Sequence, residues 1–384
     1  MLLTAMLACL FLLFELSSAQ QPAPAPRTSL AQEVVRVPMS HETRMPVIEA
    51  KVNGQGPYRF ILDTGAGAHG RLDRDLVAEL KLEPVGEAQA SDGTGVNTRS
   101  ARLVGVDCVE VGGARFEGLT FLEGDYATRI PVGEPVVGIL GYGLFAGLLW
   151  TVDYPGNAVE LRRGELAAGA EHVLAYDDAR GIATVPIRLG EHELRAHVDS
   201  GNMGGFMLPS EWMGKLRLAG PPVIRGSART TNNEFQIRSA ALEDALQFAG
   251  HSFQPAAADF AELFRVANLG YEVLKPFALT FDPKNRLLRV QRAGEGPLEL
   301  RVPPPRFGLM LAPGEDSVRV DSVVAGSRAE KTGLKAGDVL LQVNGRDAGE
   351  LAESGELGAL LGSGGPVTLK LRRGEQELEL VAPQ

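Results

Sequence analysis

Apolar residues in this chain fall into short blocks rich in Val, Ile, Leu, Phe and Thr. The blocks are cut by turn residues such as Asn53-Gly54, Gly112-Gly113, Pro155-Gly156 and Pro283-Lys284-Asn285. Blocks of that composition between such turns predict strands. The clearest helical periodicity in the first half is LDRDLVAELKL, Leu72 to Leu82, where Leu72, Leu76, Val77 and Leu80 recur on one face behind acidic residues. LPSEWMGKL, Leu208 to Leu216, occupies the equivalent place farther along.

The blocks also repeat. PYRFILDTGA (Pro57 to Ala66) matches HELRAHVDSGN (His192 to Asn202), and VEVGGARF (Val109 to Phe116) matches LQFAGHSF (Leu246 to Phe253). LGYGLF from Leu140 matches LGYEVL from Leu269, and LLWTVDYPGNAVEL (Leu148 to Leu161) matches FALTFDPKNRLLRV (Phe277 to Val290). Four blocks in one order predict a duplicated, mostly β unit. The Ala- and Gly-rich stretch Gly164 to Asp178 reads as the linker between copies. A second boundary falls at Pro303, Pro304 and Pro305, which lack the N–H groups that a sheet or helix needs.

The N-terminal apolar run, Leu2 to Phe14, is followed by Ser17, Ser18 and Ala19. It reads as an export signal over residues 1–19, giving a periplasmic or secreted protein. No basic residue precedes the run and Glu15 closes it, so an uncleaved membrane anchor is the other reading, although the run is shorter than a spanning helix needs. Residues 20–43, opening with the Pro/Ala run Gln20 to Pro26, are expected to be an extended linker.

Composition narrows the function. At 384 residues, 44% hydrophobic and 22% charged, the chain can bury several cores. A formal charge of -10 with a pI near 5.3 argues against nucleic acid or anionic membranes as partners. Removal of the signal would leave Cys108 as the last cysteine, excluding an internal disulfide and suiting a small buried hydrophobe.

Each copy places a carboxylate, Asp63 or Asp199, at the end of an apolar strand, followed by Thr64-Gly65 or Ser200-Gly201. If two such units pack about a twofold axis, the carboxylates meet at one water. Like charges that close cannot both ionise, so the pair holds one proton, with one member as base and the other as acid. Such a pair suits amide hydrolysis without metal, cofactor or covalent intermediate, and predicts faster hydrolysis at acidic than at neutral pH. The glycines allow close backbone approach, and the Thr64 and Ser200 hydroxyls can hydrogen-bond across the axis.

Two rival patterns are weaker. Gly65-Ala66-Gly67-Ala68-His69-Gly70 fits G-x-G-x-x-G, with Glu83 downstream, as in a dinucleotide-binding turn. The second copy reads Gly201-Asn202-Met203-Gly204-Gly205-Phe206, so the aspartate recurs and the glycine pattern does not. His192-Glu193 and His197 look metal-like, but positions five apart on a strand face opposite sides, and no metal site is expected.

The D-T-G-A and D-S-G-N motifs, each after an apolar strand and each followed downstream by an apolar-Gly block (Ile139-Leu140-Gly141; Leu269-Gly270), resemble retropepsin-like and pepsin-like aspartic proteases. The resemblance spans roughly Met45 to Arg292. It implies an all-β-dominated fold: two homologous closed, barrel-like lobes in pseudo-twofold arrangement, residues 44–163 and 179–292, with a peptide cleft between them. Asp63 and Asp199 would be catalytic, and a flap is expected near Asp92, Gly93, Thr94 and Gly95. Asn202 stands where a small residue is common. It is placed either to hydrogen-bond Asp199 and shift how the pair shares its proton, or to disable the site, leaving a decayed protease fold as a peptide-binding scaffold. The flap also lacks a tyrosine of the pepsin kind.

From Pro305 the sequence resembles a PDZ domain of the bacterial peptidase-associated kind, on RFGLML (Arg306 to Leu311), VDSVVAGSRAEKTGLKAGDVLLQVNG (Val320 to Gly345) and VTLKLRRG (Val367 to Gly374). The pattern predicts a short helix at Ser327 to Thr332, a turn at Gly333 and a hairpin turn at Asn344-Gly345. The resemblance implies an α+β domain over 305–384. Its loop Arg306, Phe307, Gly308, Leu309 would capture a protein C-terminus, with the helix near Leu351 to Leu361 as the opposite wall. A covered groove that serves only for packing is the other reading. The expected partners are a peptide or protein substrate and a peptide in that groove, with the chain a monomer.

Overall fold

The structure is a computed structural model that describes residues 25–41, 43–90, 99–125, 135–179, 181–229, 234–302, 307–313, 318–354, 356–362 and 364–382. The first unit contains β1 (Arg27–Leu30), β2 (Val34–Pro38), β3 (Val47–Val52), β4 (Gln55–Asp63), β5 (Gly70–Asp73), β6 (Pro84–Ala90), β7 (Arg99–Val111), β8 (Ala114–Gly124), β9 (Gly138–Gly141), β10 (Leu149–Asp153) and β11 (Ala158–Arg162). The predicted turn at Asn53-Gly54 joins β3 to β4 with both residues at positive φ, 50° and 78°, the geometry that a tight two-residue hairpin needs.

Strands β3, β4, β9, β5, β8 and β7 pair in that order, and β7 pairs back to β3, closing a six-stranded barrel. Phe60, Phe116 and Phe121 lie inside it, fully buried. The predicted helix is shorter than its periodicity. Leu72 and Asp73 finish β5, the Asp73 carboxylate caps the helix by accepting from the Asp75 N–H, and α1 runs Arg74–Glu79. Lys81 at φ 52° ends it.

The second unit contains β12 (Val173–Ala175), β13 (Thr184–Leu189), β14 (His192–Val198), β15 (Phe206–Pro209), β16 (Val223–Arg229), β17 (Glu234–Leu242), β18 (Leu246–Phe248), β19 (His251–Phe253), β20 (Ala256–Ala261), β21 (Ala267–Leu269), α2 (Tyr271–Leu274), β22 (Phe277–Asp282) and β23 (Leu287–Arg292). Its order β13-β14-β21-β15-β20-β17-β16 parallels β3-β4-β9-β5-β8-β7-β6 in the first. The expectation of two closed barrels holds for the first unit only. Where β7 runs unbroken from β8 to β3, the second unit splits that run into β17 on β20 and β18 on β13, so the sheet curls without a continuous hydrogen-bonded ring. Pro255, between β19 and β20, has no N–H to carry the ladder across the break. Leu208 to Leu216 forms the end of β15 and a 3-10 turn at Ser210–Gly214.

A six-stranded sheet, β12-β23-β22-β10-β11-β2, joins the units. Its central pair is β10 against β22, with Trp150 opposite Phe281 and Thr151 opposite Thr280. Trp150 stacks between Phe281 and Phe145 at centroid distances of 4.6 and 4.8 Å. Truncating so large a buried ring typically costs about 3–5 kcal/mol. Segments read as linkers contribute here: β2 comes from residues 20–43 and β12 from the Gly164–Asp178 stretch, while β1, also from residues 20–43, pairs with β8 in the first unit. Val35 and Val37 alternate inward on β2, and this apolar period gives them a place in the core.

The C-terminal unit comprises β24 (Leu309–Pro313), β25 (Val318–Val323), α3 (Arg328–Thr332), β26 (Val339–Val343), β27 (Arg346–Asp347), α4 (Ala348–Glu353), α5 (Glu356–Gly362), β28 (Val367–Arg373) and β29 (Gln376–Ala382) around its own core. Ser327 caps α3 by accepting from the Glu330 N–H, and Gly333 ends it at φ 88°. The helix expected near Leu351 to Leu361 is two short helices, α4 and α5. The signal segment, residues 20–24 of the Pro/Ala run and the Pro303-Pro305 boundary lie outside the described residues.

Candidate active site

β4 ends at Asp63 and β14 ends one residue before Asp199, each beside a parallel partner: Leu62 opposite Leu140 on β9, and Val198 opposite Leu269 on β21. The turns after the two aspartates hold each other. The Thr64 N–H donates to Ser200 Oγ (2.9 Å), and the Ser200 N–H donates to Thr64 Oγ1 (2.9 Å). The hydroxyls then donate onward, Thr64 Oγ1 to the Val198 carbonyl and Ser200 Oγ to the Leu62 carbonyl, both at 2.7 Å. Both side chains are 1% exposed, so all four bonds are shielded from water. Every polar group of this buried knot is satisfied reciprocally.

The knot sets the distance between the carboxyls. A Cβ on Gly65 would stand 2.4 Å from Cγ of Asp199, and one on Gly201 would stand 2.5 Å from Cγ of Asp63. Only glycine lets each turn come so close to the other carboxylate. The two carboxyls hydrogen-bond each other, and each also accepts a backbone N–H from its own turn: Gly65 to Asp63 Oδ1 (2.8 Å) and Gly201 to Asp199 Oδ1 (3.0 Å).

Residues 48–144 match the aspartyl protease family model. The match covers most of the barrel that carries Asp63 and ends before the second unit. Residues 298–372 match the PDZ domain model. No curated protein matches the chain. An aspartyl protease domain points to a peptidase, and a PDZ domain to peptide or protein binding.

Electrostatics make the two carboxyls unequal. Burial raises Asp63 above the ordinary carboxyl range, while the Gly65 N–H, the nearby Arg71 charge, the Asp199 contact and the Ala66 N–H pull it back without cancelling the rise. Asp199 is pushed up to about 7, first by burial and then by the Asp63 charge, against the Asn268 amide and the Gly201 N–H. The Arg71 charge pulls Asp63 down and the Asp63 charge pushes Asp199 up, which favours Asp199 as the member that keeps a proton as pH rises toward 7, the unequal arrangement that acid-base work by two carboxyls needs.

Asn202 does not touch Asp199 with its side chain, contrary to one sequence expectation. It reaches the carboxyl through Asn268: Asn202 Nδ2 donates to Asn268 Oδ1 (2.7 Å), and Asn268 Nδ2 donates to Asp199 Oδ2 (2.6 Å). Asn268 was missed, although an asparagine in the otherwise apolar run Val266-Ala267-Asn268-Leu269 is a readable signal of a buried polar contact. A second missed group lies at the turn after β10. The buried Tyr154 ring feels both carboxylates, and its carbonyl and the Tyr271 hydroxyl hold the two nitrogens of His41 at 3.0 Å each. Because a carbonyl only accepts, His41 Nε2 carries the hydrogen there.

The Gly65–Gly70 run leads into β5 before α1 begins, so it lacks the direct turn into a helix on which a dinucleotide site depends. Among the described residues no group of three or more His, Cys, Asp or Glu side chains could hold a metal. Cys108 is free and buried. The flap residues Asp92, Gly93, Thr94 and Gly95 lie outside the described residues, between β6 and β7.

In the PDZ domain, Arg306 lies outside the described residues. Phe307 is buried, with the Arg328 guanidinium 5.3 Å from its ring centroid. Its carbonyl accepts from the Ala329 N–H, and the Gly308 carbonyl accepts from the Val324 N–H. Gly308 sits at φ +89°, and a Cβ there would be 2.2 Å from that of Ser327. Leu309 opens β24, which is an edge of the domain's sheet.

Proposed function

We propose that the chain is an exported aspartic endopeptidase in which Asp63 and Asp199 activate one water against a peptide bond, and that the PDZ domain tethers a peptide or protein substrate. The observation that carries this reading is the reciprocal Thr64–Ser200 knot, which brings two half-buried, unequally titrating carboxyls into contact. In this reading residues 1–19 are the export signal, 44–163 and 179–292 are duplicated lobes, 305–384 form the tether, and the protein acts as a monomer.

The chemistry follows from the shared proton. Ionised Asp63 takes a proton from water as its oxygen attacks the scissile carbonyl carbon, while Asp199 hydrogen-bonds and then protonates the carbonyl oxygen. The resulting gem-diol collapses as a proton moves to the amide nitrogen and the C–N bond breaks, leaving a carboxyl and an amine. Acid-base help of this kind contributes about 10²–10⁴-fold. The Thr64 and Ser200 bonds keep both carboxyls fixed through these transfers, so little reorganisation accompanies each step.

The test is cleavage of a diverse peptide library across pH by residues 27–384, beside Asp63→Asn and Asp199→Asn. Cleavage by the parent that both substitutions abolish, with each variant folded, supports the dyad. A well-folded parent that cleaves nothing at any pH turns the reading to a decayed scaffold that presents the PDZ groove.

A further inference from the structure

The two carboxyls sit in matching backbone and unmatched side chains. The Ala66 N–H reaches the Asp63 carbonyl at 3.2 Å, and the Asn202 N–H reaches the Asp199 carbonyl at 3.3 Å. The Tyr142 N–H reaches the Ala66 carbonyl at 2.9 Å, and the Tyr271 N–H reaches the Asn202 carbonyl at 2.8 Å. Strand register makes Ile139 the counterpart of Asn268, since Ile139 precedes the partner of Leu62 and Asn268 precedes the partner of Val198. Across the next strand, Arg71 stands opposite Ile139, whereas Met207 stands opposite Asn268. The first lobe therefore offers its aspartate a cation with an apolar neighbour, and the second offers a neutral amide.

That amide has one orientation. The Gly204 N–H, which can only donate, points at Asn202 Oδ1 (2.8 Å), so the other end of the Asn202 amide must be its NH2. This NH2 donates to Asn268 Oδ1, which leaves the Asn268 NH2 to face Asp199 Oδ2. The chain of three bonds starts at fixed backbone, and Asn268 is 5% exposed, so water competes little for it. Asp199 Oδ2 thus accepts from this NH2 at 2.6 Å while Oδ1 accepts from the Gly201 N–H at 3.0 Å, so both oxygens are held in place.

We propose that Asn268, oriented by Asn202, is a positioning residue that fixes the direction of the Asp199 carboxyl by donating to Oδ2 while the Gly201 N–H donates to Oδ1. This deepens the peptidase reading and rests on it. The titratable and charged groups around the chain of bonds are Asp63 on β4, Arg71 on β5, Tyr154 after β10, His197 on β14 in register with Asn268, Asp259 on β20, and Tyr271 and Glu272 on α2. Of these, Asp63 raises Asp199 through its charge, while Asp259 is occupied by the Ser239 hydroxyl. Asn268 opposes the rise, because its donor favours the ionised form that must appear when the last proton leaves.

The test gives the second lobe the residues of the first. The double variant Asn202→Ala/Asn268→Ile copies Ala66 and Ile139, a pair that this backbone already accommodates. Its carboxyl titration, followed by 13C NMR, and its pH profile of kcat/KM are compared with those of the parent. The ionisation that ends activity at high pH is expected to move up by about one pH unit, the tenfold effect of losing a hydrogen bond to a charged group. The kcat is expected to fall about tenfold, with KM nearly unchanged, because the carboxyl loses its fixed direction. Asn202→Ala alone keeps the donor but frees its rotation, and should show the same shift at smaller size. It decides the question if the double variant does not fold. An unmoved upper ionisation in a folded variant, or one that moves down, overturns the proposal and leaves the asparagines as packing. A parent that cleaves no peptide defeats the peptidase reading alone, since the carboxyl titration still reports whether Asn268 acts on Asp199.

Discussion

The substitution Gly201→Ala tests the closeness of the two carboxyls with a single methyl group. The added carbon would lie 2.5 Å from Cγ of Asp63 and 2.6 Å from each of its oxygens, whereas ordinary Cβ contacts begin at 3.4 Å. Relief requires a movement of about 1 Å, and neither turn can supply it without breaking the Thr64–Ser200 bonds. The movement therefore falls on the Asp63 side chain or opens the knot. A displacement of about 1 Å in a reacting group costs about 10²-fold, or about 2.7 kcal/mol of barrier. The control is Gly214→Ala, where a Cβ meets nothing within 4 Å and no unusual backbone angle intervenes. The assay is kcat/KM on one cleaved peptide, with Tm as a check on folding. Gly65→Ala, which would place its carbon 2.4 Å from Cγ of Asp199, should behave as Gly201→Ala does. A Gly201→Ala enzyme as active as the Gly214→Ala control would refute the claim that cleavage depends on contact between these carboxyls.

Other outcomes follow from the same site. Ser200→Ala removes the acceptor of the Thr64 N–H and the donor to the Leu62 carbonyl in a dry environment, and should lower stability by about 2–4 kcal/mol in a denaturant titration. Because Asp199 titrates near 7 in the fold and far lower when unfolded, the folded state binds more protons across that window. Its contribution is present at acid pH and lost as pH rises through about 7, so Asp199→Asn should raise Tm relative to the parent at pH 8 and leave it little changed at pH 4. Cleavage by the parent should decline above pH 7 as the same proton leaves, and a rate that keeps climbing into the alkaline range would count against the dyad.

Much of this arrangement was legible in the sequence because it is local. Turn pairs such as Asn53-Gly54 and Asn344-Gly345 need positive φ, so they mark hairpins whatever surrounds them. Ser327 and Gly333 bound α3 for the same local reason, and the two Asp-Thr/Ser-Gly triplets announce themselves by spacing alone. Tertiary structure decided whatever depends on residues far apart. It fixed the shortening of α1, where β5 competes for Leu72 and Asp73, and the recruitment of residues 27–38 into two sheets, where inward valines outweigh the disordered look of the preceding Pro/Ala run. It left the second barrel open, since the split between β17 and β18 shows only when both find their partners. Above all it decided the inequality of the carboxyls. The sequence supplies two similar triplets, but burial, the Arg71 charge and the Gly204–Asn202–Asn268 chain act through space, and only packing brings those groups to one aspartate and not the other.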